Sequence, residues 1–298
     1  MTGIQLILDG LSVGALYALI AIAMVIIYKA SEVPNFGQGA MAMFSAYIAY
    51  HLMTIYGFNF VVAFIGALIF AFALGVVIEF AIIRRAKEPN ILNLILITIG
   101  VERMLYGLAG WKWGADGKQF PSSFDPLPFT RSDMIPILGM PVSVVKIIVV
   151  LVTVLLIVVF YLFFKYSKVG IAMKATQQNR VAAMINGIRT NRIMSLTWAL
   201  SSMVGAIAGM MIVPATASSL SSSMMIGPLL KGFAAAVLGG MTTLVGAIGG
   251  GFILGLIEKF FGYYISTEFE TVVAFAIIIL ILWFKPEGLF GKHKQKKV

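Results

Sequence analysis

Apolar runs of 18 or more residues recur along the whole chain, and this feature limits the fold more than any other. Each run is long enough to cross a hydrocarbon layer as a helix, because about 20 residues at 1.5 Å per residue match its thickness of about 30 Å. Inside that layer backbone polar groups find no water, so a span satisfies its hydrogen bonds as a helix or a closed barrel. A barrel would show alternating segments of about ten residues, and the runs here are continuous. The expected class is all-α: a polytopic transmembrane helical bundle of about eight to nine spans, some short or broken. Of 298 residues, 60% are hydrophobic and only 11% charged, far below the roughly 25% of a soluble domain. One membrane domain is expected over residues 1–298. The first run, Ile4 to Tyr28, has no basic leader and no small-residue cleavage site, so it reads as a retained span.

The net charge of +10 does not point to nucleic acid, because the basic residues cluster between spans. Arg84, Arg85 and Lys87 form one group. Lys165, Lys168, Lys174, Arg180, Arg189 and Arg192 form a second, with no Asp or Glu among them. Lys285, Lys292, Lys294, Lys296 and Lys297 form a third. Such charge orients a membrane protein, with basic loops on the cytoplasmic side against anionic lipid. The loop 165–193 and the tail 285–298 then lie on that side, and the loop 111–141 lies outside. Counting spans back from the basic loop puts the N-terminus outside. Cysteine is absent, and His51 and His293 are the only histidines. Neither a disulfide nor a cysteine- or histidine-based metal or catalytic site is expected, and no cofactor is implied.

Small residues mark helix-packing faces. Gly10/Gly14, Gly246/Gly250 and Gly251/Gly255 are GxxxG pairs, and Ser201, Gly205 and Gly209 repeat at four-residue spacing. Such faces let backbones approach closely. Asp9 is placed at the outer interface, and Glu79 is expected to pair with Arg84. The adjacent Glu102 and Arg103 point to different helix faces and need partners in the bundle or a place at a helix end. Asn35-Phe36-Gly37-Gln38-Gly39 reads in two ways: a turn with Asn35 as N-cap, or a helix N-terminus aimed at a cavity. The break Ser218, Ser219, Ser221, Ser222 and Ser223 is the other polar interruption. Asn35, Gln38, Ser218, Ser219 and Ser221 are therefore candidates for a translocation path. Gly232 to Ile265 fits two short helices with a tight turn between about Gly239 and Gly251.

Gly170 to Gly187 reads as one short amphipathic helix, ended at Asn186-Gly187. It either lies on lipid headgroups or presents a knob to a soluble protein. The chain lacks GxxxxGK[ST] and HExxH segments, so neither an ATP-binding loop nor a zinc protease site is present. The few intramembrane carboxylates, Glu79, Glu102 and Glu258, keep an ion-coupled carrier open as a second reading.

Three ordered segments carry a resemblance. GLSVGALYALIAIAMVIIYKASEVPNFGQGAMAMFSAYIA, GIAMKATQQNRVAAMINGIRTNRIMSLTWALSSMVGAIAG and AAAVLGGMTTLVGAIGGGFILGLIE resemble the permease subunits of branched-chain amino acid ABC importers, in particular the shorter, first permease of the pair. Ala40-Met41 departs from the acidic or similar residue usual after the second glycine of the family's NFxxG segment, and Ala23 replaces a common glycine. The resemblance leaves urea, amides and aromatic acids open as substrates beside branched-chain amino acids. It implies a non-enzymatic transport subunit in a bacterial inner membrane. It also implies four kinds of contact: a second permease, two cytoplasmic ATPase subunits, a periplasmic substrate-binding protein and membrane lipid. Under it Gly170 to Gly187 is the coupling helix, and Lys174, Gln178, Asn179 and Arg180 face the ATPase.

Overall fold

The computed structural model describes residues 3–86, 90–120, 133–137, 140–216, 219–266, 268–285 and 287–291. These form eleven α-helices. In chain order they are α1 (Gly3–Ser31), α2 (Gln38–Thr54), α3 (Phe60–Ala81), α4 (Ile91–Trp113), α5 (Val144–Tyr166), α6 (Lys168–Gln178), α7 (Arg180–Ile185), α8 (Thr190–Thr216), α9 (Ile226–Gly239), α10 (Leu244–Tyr264) and α11 (Glu270–Phe284). A two-stranded antiparallel hairpin, β1 (Met134–Ile137) and β2 (Met140–Ser143), precedes α5. The molecule is a polytopic helical membrane protein. Among the described residues six helices (α1, α3 with the turn after it, α4, α5, α8 and α10) are long and apolar enough for a full crossing, and α9 and the apolar part of α11 are shorter.

The centre of the bundle is α1. Its apolar window is 89% buried, against 11% for that of α5 and 17% for that of α4. It packs on α10, α8, α9 and α5, so its near-continuous hydrophobicity serves a protein environment on all sides. The closest crossing is with α10. A Cβ on Gly14 would sit 2.9 Å from both Gly251 O and Phe252 Cα. One on Gly251 would sit 2.5 Å from Ala18 N, and one on Gly255 would strike the backbone of Gly14. Gly10 meets Leu256 on the same face. Two of the glycine pairs therefore pack against each other. Gly246 and Gly250 face Gly239 and Ala235 of α9, and Gly205 and Gly209 face Gln38 and Ala42 of α2.

Several sequence expectations are corrected. The turn between α9 and α10 occupies only Gly240 to Thr243, with Gly240 at φ +92°. Thr243 caps α10 by accepting from Gly246 N at 3.1 Å, so Gly246 to Gly251 belong to that helix and not to the turn. Asn35 is not the N-cap of α2. Gly37 holds that position, and Asn35 Oδ1 accepts from Gly37 N at 3.0 Å, closing the turn ahead of the helix. Gly170 to Gly187 is two helices, because Asn179 is extended (φ −157°, ψ 106°) and ends α6.

The described residues of the basic groups gather at one end of the bundle. Arg84 at the end of α3 reaches the start of α8, and Lys29 and Lys174 line a common groove. Leu289 N and Phe290 N donate to Leu238 O and Gly239 O, at 2.8 and 3.2 Å, which ties the segment after α11 to the same end. The opposite end holds the hairpin, an Asp9–Lys146 ion pair of 2.6 Å and a Lys118–Leu220 backbone bridge.

Candidate functional site

After α5 the chain folds back sharply. Ser167 Oγ accepts from Gly170 N at 2.8 Å and starts α6. A side chain at 170 would lie 2.5 Å from Phe163 O and 2.7 Å from Phe164 Cα, so glycine permits the tight return. Gly170, Met173 and Thr176 face the bundle at three-residue spacing. Lys174, Gln178, Asn179 and Arg180 are exposed. Asn179 Oδ1 accepts from Ala182 N at 2.9 Å, so one residue both ends α6 and caps α7. On α7, Val181, Met184 and Ile185 are 61%, 49% and 81% exposed. A six-residue helix with its apolar side turned outward is a projecting knob, with Ala183 as its buried residue.

Hydrogen bonds connect this knob to the bundle. Arg180 Nη2 donates to Asn191 Oδ1 at 3.0 Å. Asn191 O accepts from Arg84 Nη2 at 2.9 Å. Arg84 grips Glu79 through Nη2 at 2.6 Å and Nε at 3.1 Å. Ser195 Oγ donates to Glu79 Oε2 at 2.7 Å. Glu79 is 2% exposed. The expected Glu79–Arg84 pair is therefore part of a larger network joining α7, the first turn of α8 and the end of α3. Gln178, Asn179 and Arg180 share an open cleft of about 560 Å³ with Glu79 and Arg84. Lys174 also lines a separate groove, beside Lys29 and Lys165.

The candidate path residues do not come together. Asn35 and Gln38 are each 1% exposed. Asn35 Nδ2 donates to Gln38 Oε1 at 3.2 Å, Gln38 Nε2 to Ser201 O at 3.1 Å, and Ser201 Oγ to Ala23 O at 2.6 Å. This network pins the start of α2 between α1 and α8. Ala23 lies eight residues before the end of α1, about 12 Å at the helical rise, so α2 begins well inside the bundle. Ser219 and Ser221 flank Leu220, whose backbone pairs with Lys118 at the opposite end. Tyr47 reaches Leu220 O and lies nine residues from Gln38, about 13 Å along α2. Ser218 lies outside the described residues.

Another buried polar cluster joins α1, α9 and α10. Lys231 Nζ is 2.6 Å from Glu258 Oε1, and Tyr17 OH donates to the same oxygen at 3.0 Å. Glu258 Oε2 is buried with no hydrogen-bond partner among the described residues. Gly10-Leu11-Ser12-Val13-Gly14 has the spacing GxSxG of a serine-hydrolase elbow. It lies within α1 rather than at a strand–turn–helix junction, and Ser12 Oγ donates to Lys146 O at 3.3 Å.

Residues 6–282 match the family described as the permease component of branched-chain amino acid transport systems. The chain belongs to that family. LivH of Salmonella typhimurium, named a high-affinity branched-chain amino acid transport system permease protein, is 29% identical over 309 residues, covering 99% of this chain and 97% of its own. BraD of Pseudomonas aeruginosa, with the same description, is 30% identical over 305 residues, covering 99% and 98%. A LivH from Methanocaldococcus jannaschii, named a probable branched-chain amino acid transport permease protein, is 27% identical, covering 99% and 95%. No solved structure matches the chain.

Within this permease the residues missed by sequence reasoning are Asn191, Ser195, Tyr17 and Lys231. Asn191 and Ser195 are four apart in the first turns of α8, a spacing that puts them on one face, but their partners lie on α3 and α7. Lys231 and Glu258 are 27 residues apart on different helices, and no local spacing links them.

Proposed function

We propose that this permease forms, with a second permease chain, the path by which a branched aliphatic amino acid crosses a bacterial inner membrane. ATP hydrolysis in two separate cytoplasmic subunits drives the step, and a periplasmic binding protein delivers the substrate. The membership of the chain in the permease-component family supports the substrate class. The carrying observation for the energy input is the α6–α7 knob, exposed on its apolar side and hydrogen-bonded through Arg180, Asn191, Arg84 and Glu79 to two spans.

The mechanism follows from that connection. An ATPase surface receives Val181, Met184 and Ile185 in a groove, and Gln178 and Arg180 contact its polar rim. Closing of the ATPase pair displaces α7. The Arg180–Asn191–Arg84–Glu79 network passes that displacement to the cytoplasmic ends of α8 and α3, and the spans switch access as packed bodies. Asn179 acts by capping α7, and Lys174 contributes positive charge beside it. Asn35 and Gln38 take part by fixing where α2 begins, next to the half-exposed Phe36, whose ring lies 5.8 Å from that of Phe233. Ser219 and Ser221 belong to the exterior mouth.

The test uses the purified importer in vesicles with binding protein and amino acid. Arg180→Glu should lower substrate-stimulated ATP hydrolysis and uptake while the complex still assembles. Normal hydrolysis and uptake with Arg180→Glu and with Ile185→Asp would remove the coupling assignment. Gradient-driven uptake by the single purified chain would overturn the importer reading in favour of a carrier.

A further inference from the structure

The bundle leaves two full-length helices largely bare, and they differ in one respect. Between Lys146 and Lys165, α5 carries no charged residue. Its exposed side chains, Leu151, Leu155 and Val158 among them, are apolar, as lipid requires. On α4 the buried face is Val101, Leu105 and Ala109, packed toward α2. Its opposite face exposes Arg103, beside Met104 and Leu108. Arg103 is the thirteenth of 23 residues in α4, about 15 Å from Trp113 at the helical rise. With α4 crossing as a span, that position is near mid-depth, farther than the side chain reaches to either headgroup layer. Among the described residues Arg103 forms no ion pair. Glu102 beside it is half-buried.

A charge at the bilayer centre faces protein or a wet cavity, not lipid chains. On the same side of α4, Gly100 and Gly107 have nothing within 4 Å of where a Cβ would stand, so another helix has room to approach there. We infer that the Arg103 face of α4 is where the second permease docks, and that the partner presents an acidic or carbonyl oxygen to Arg103 at mid-membrane. The inference rests on the two-permease reading above and adds which surface does the pairing. The apolar α5 faces lipid in the assembled importer.

The natural absence of cysteine makes the test direct. Single cysteines at Met104 and Leu108 on α4, and at Leu151 and Val158 on α5, are labelled with a benzophenone maleimide in the assembled importer and irradiated. The α4 positions should give adducts with the second permease, and the α5 positions should give lipid adducts only. Arg103→Glu should cut the co-purifying second permease by at least about fivefold, with Arg103→Lys retaining most of it. Lipid adducts alone at Met104 and Leu108 would overturn the inference. So would adducts with another copy of this chain, or labelling there by a membrane-impermeant maleimide without any protein adduct. If the second permease co-purifies yet the α4 positions do not reach it, the docking surface is wrong and the two-permease reading stands. If no second permease co-purifies, both fail.

Discussion

Replacing Gly251 by alanine should separate α1 and α10 of the permease. The new methyl would lie 2.5 Å from Ala18 N, 2.6 Å from Ala18 Cα and 2.7 Å from Ala18 Cβ. Ordinary carbon contacts are about 3.5–4.0 Å, so the shortfall is about 1 Å. The opposing atoms are backbone and a methyl in the middle of α1, which no rotamer change can move. The helices must separate instead, and the same shift loosens the contacts between Gly14 and Gly255. Overpacking of this kind costs about 1–3 kcal/mol, and the shared displacement places the cost near 3 kcal/mol. Alanine returns about 1 kcal/mol of helix propensity. The net loss is about 2 kcal/mol, or about thirtyfold in the folding equilibrium. Gly107→Ala on α4 meets nothing within 4 Å and should gain up to about 1 kcal/mol in the isolated chain. Thermal melting of the purified chain in detergent reads both. A Gly251→Ala protein that melts at or above the parent temperature would refute the packing argument. The opposite sign expected for Gly107→Ala separates sterics from any general effect of adding a methyl.

Two further predictions address the polar clusters. Lys231→Met leaves the Glu258 carboxylate buried with only the Tyr17 hydroxyl, a change that costs about 3–5 kcal/mol when a buried pair is broken; with 15% of the lysine side chain exposed, the low end applies. The double variant Lys231→Met/Glu258→Leu should recover most of that loss in the same melting assay, and equal melting of the single and double variants would refute the ion-pair argument. Asn179→Ala removes the cap of α7 and should cost that helix about 1 kcal/mol. Hydrogen exchange at residues 180–185 should quicken by about fivefold on that basis, with Asn179→Asp restoring protection, and unchanged exchange in the alanine variant would show that the cap is not what holds α7.

Much of the path from sequence to the exposed α6–α7 knob was legible. Asn186-Gly187 is a local signal, because a glycine at positive φ ends a helix within a few residues, and the far end of the knob was found from it. The break at Asn179 went unread because Lys168 to Ile185 has one amphipathic pattern throughout, and an asparagine inside such a pattern does not announce whether its side chain caps or points to solvent. Asn35 and Gln38 read as open polar groups because the network that closes over them ends on carbonyls of other helices, Ser201 O accepting from Gln38 Nε2 and Ala23 O accepting from Ser201 Oγ. Carbonyls at those places leave no sign in the sequence.

The chain by itself determined that it would be a helical membrane bundle, where its long spans would lie and which end would be basic. Hydrocarbon allows a backbone to satisfy its hydrogen bonds only within its own helix, so span length and apolar content suffice for that much. It also marked which faces were bare enough for close approach. Only the tertiary structure decided that Gly10 and Gly14 meet Gly251 and Gly255, that Lys231 answers Glu258, and that Arg103 is left outward midway along α4. Those outcomes depend on which helix lies beside which. In a chain whose spans are almost uniformly apolar, that choice is made by the fit of small surfaces and a few buried charges over long separations in sequence.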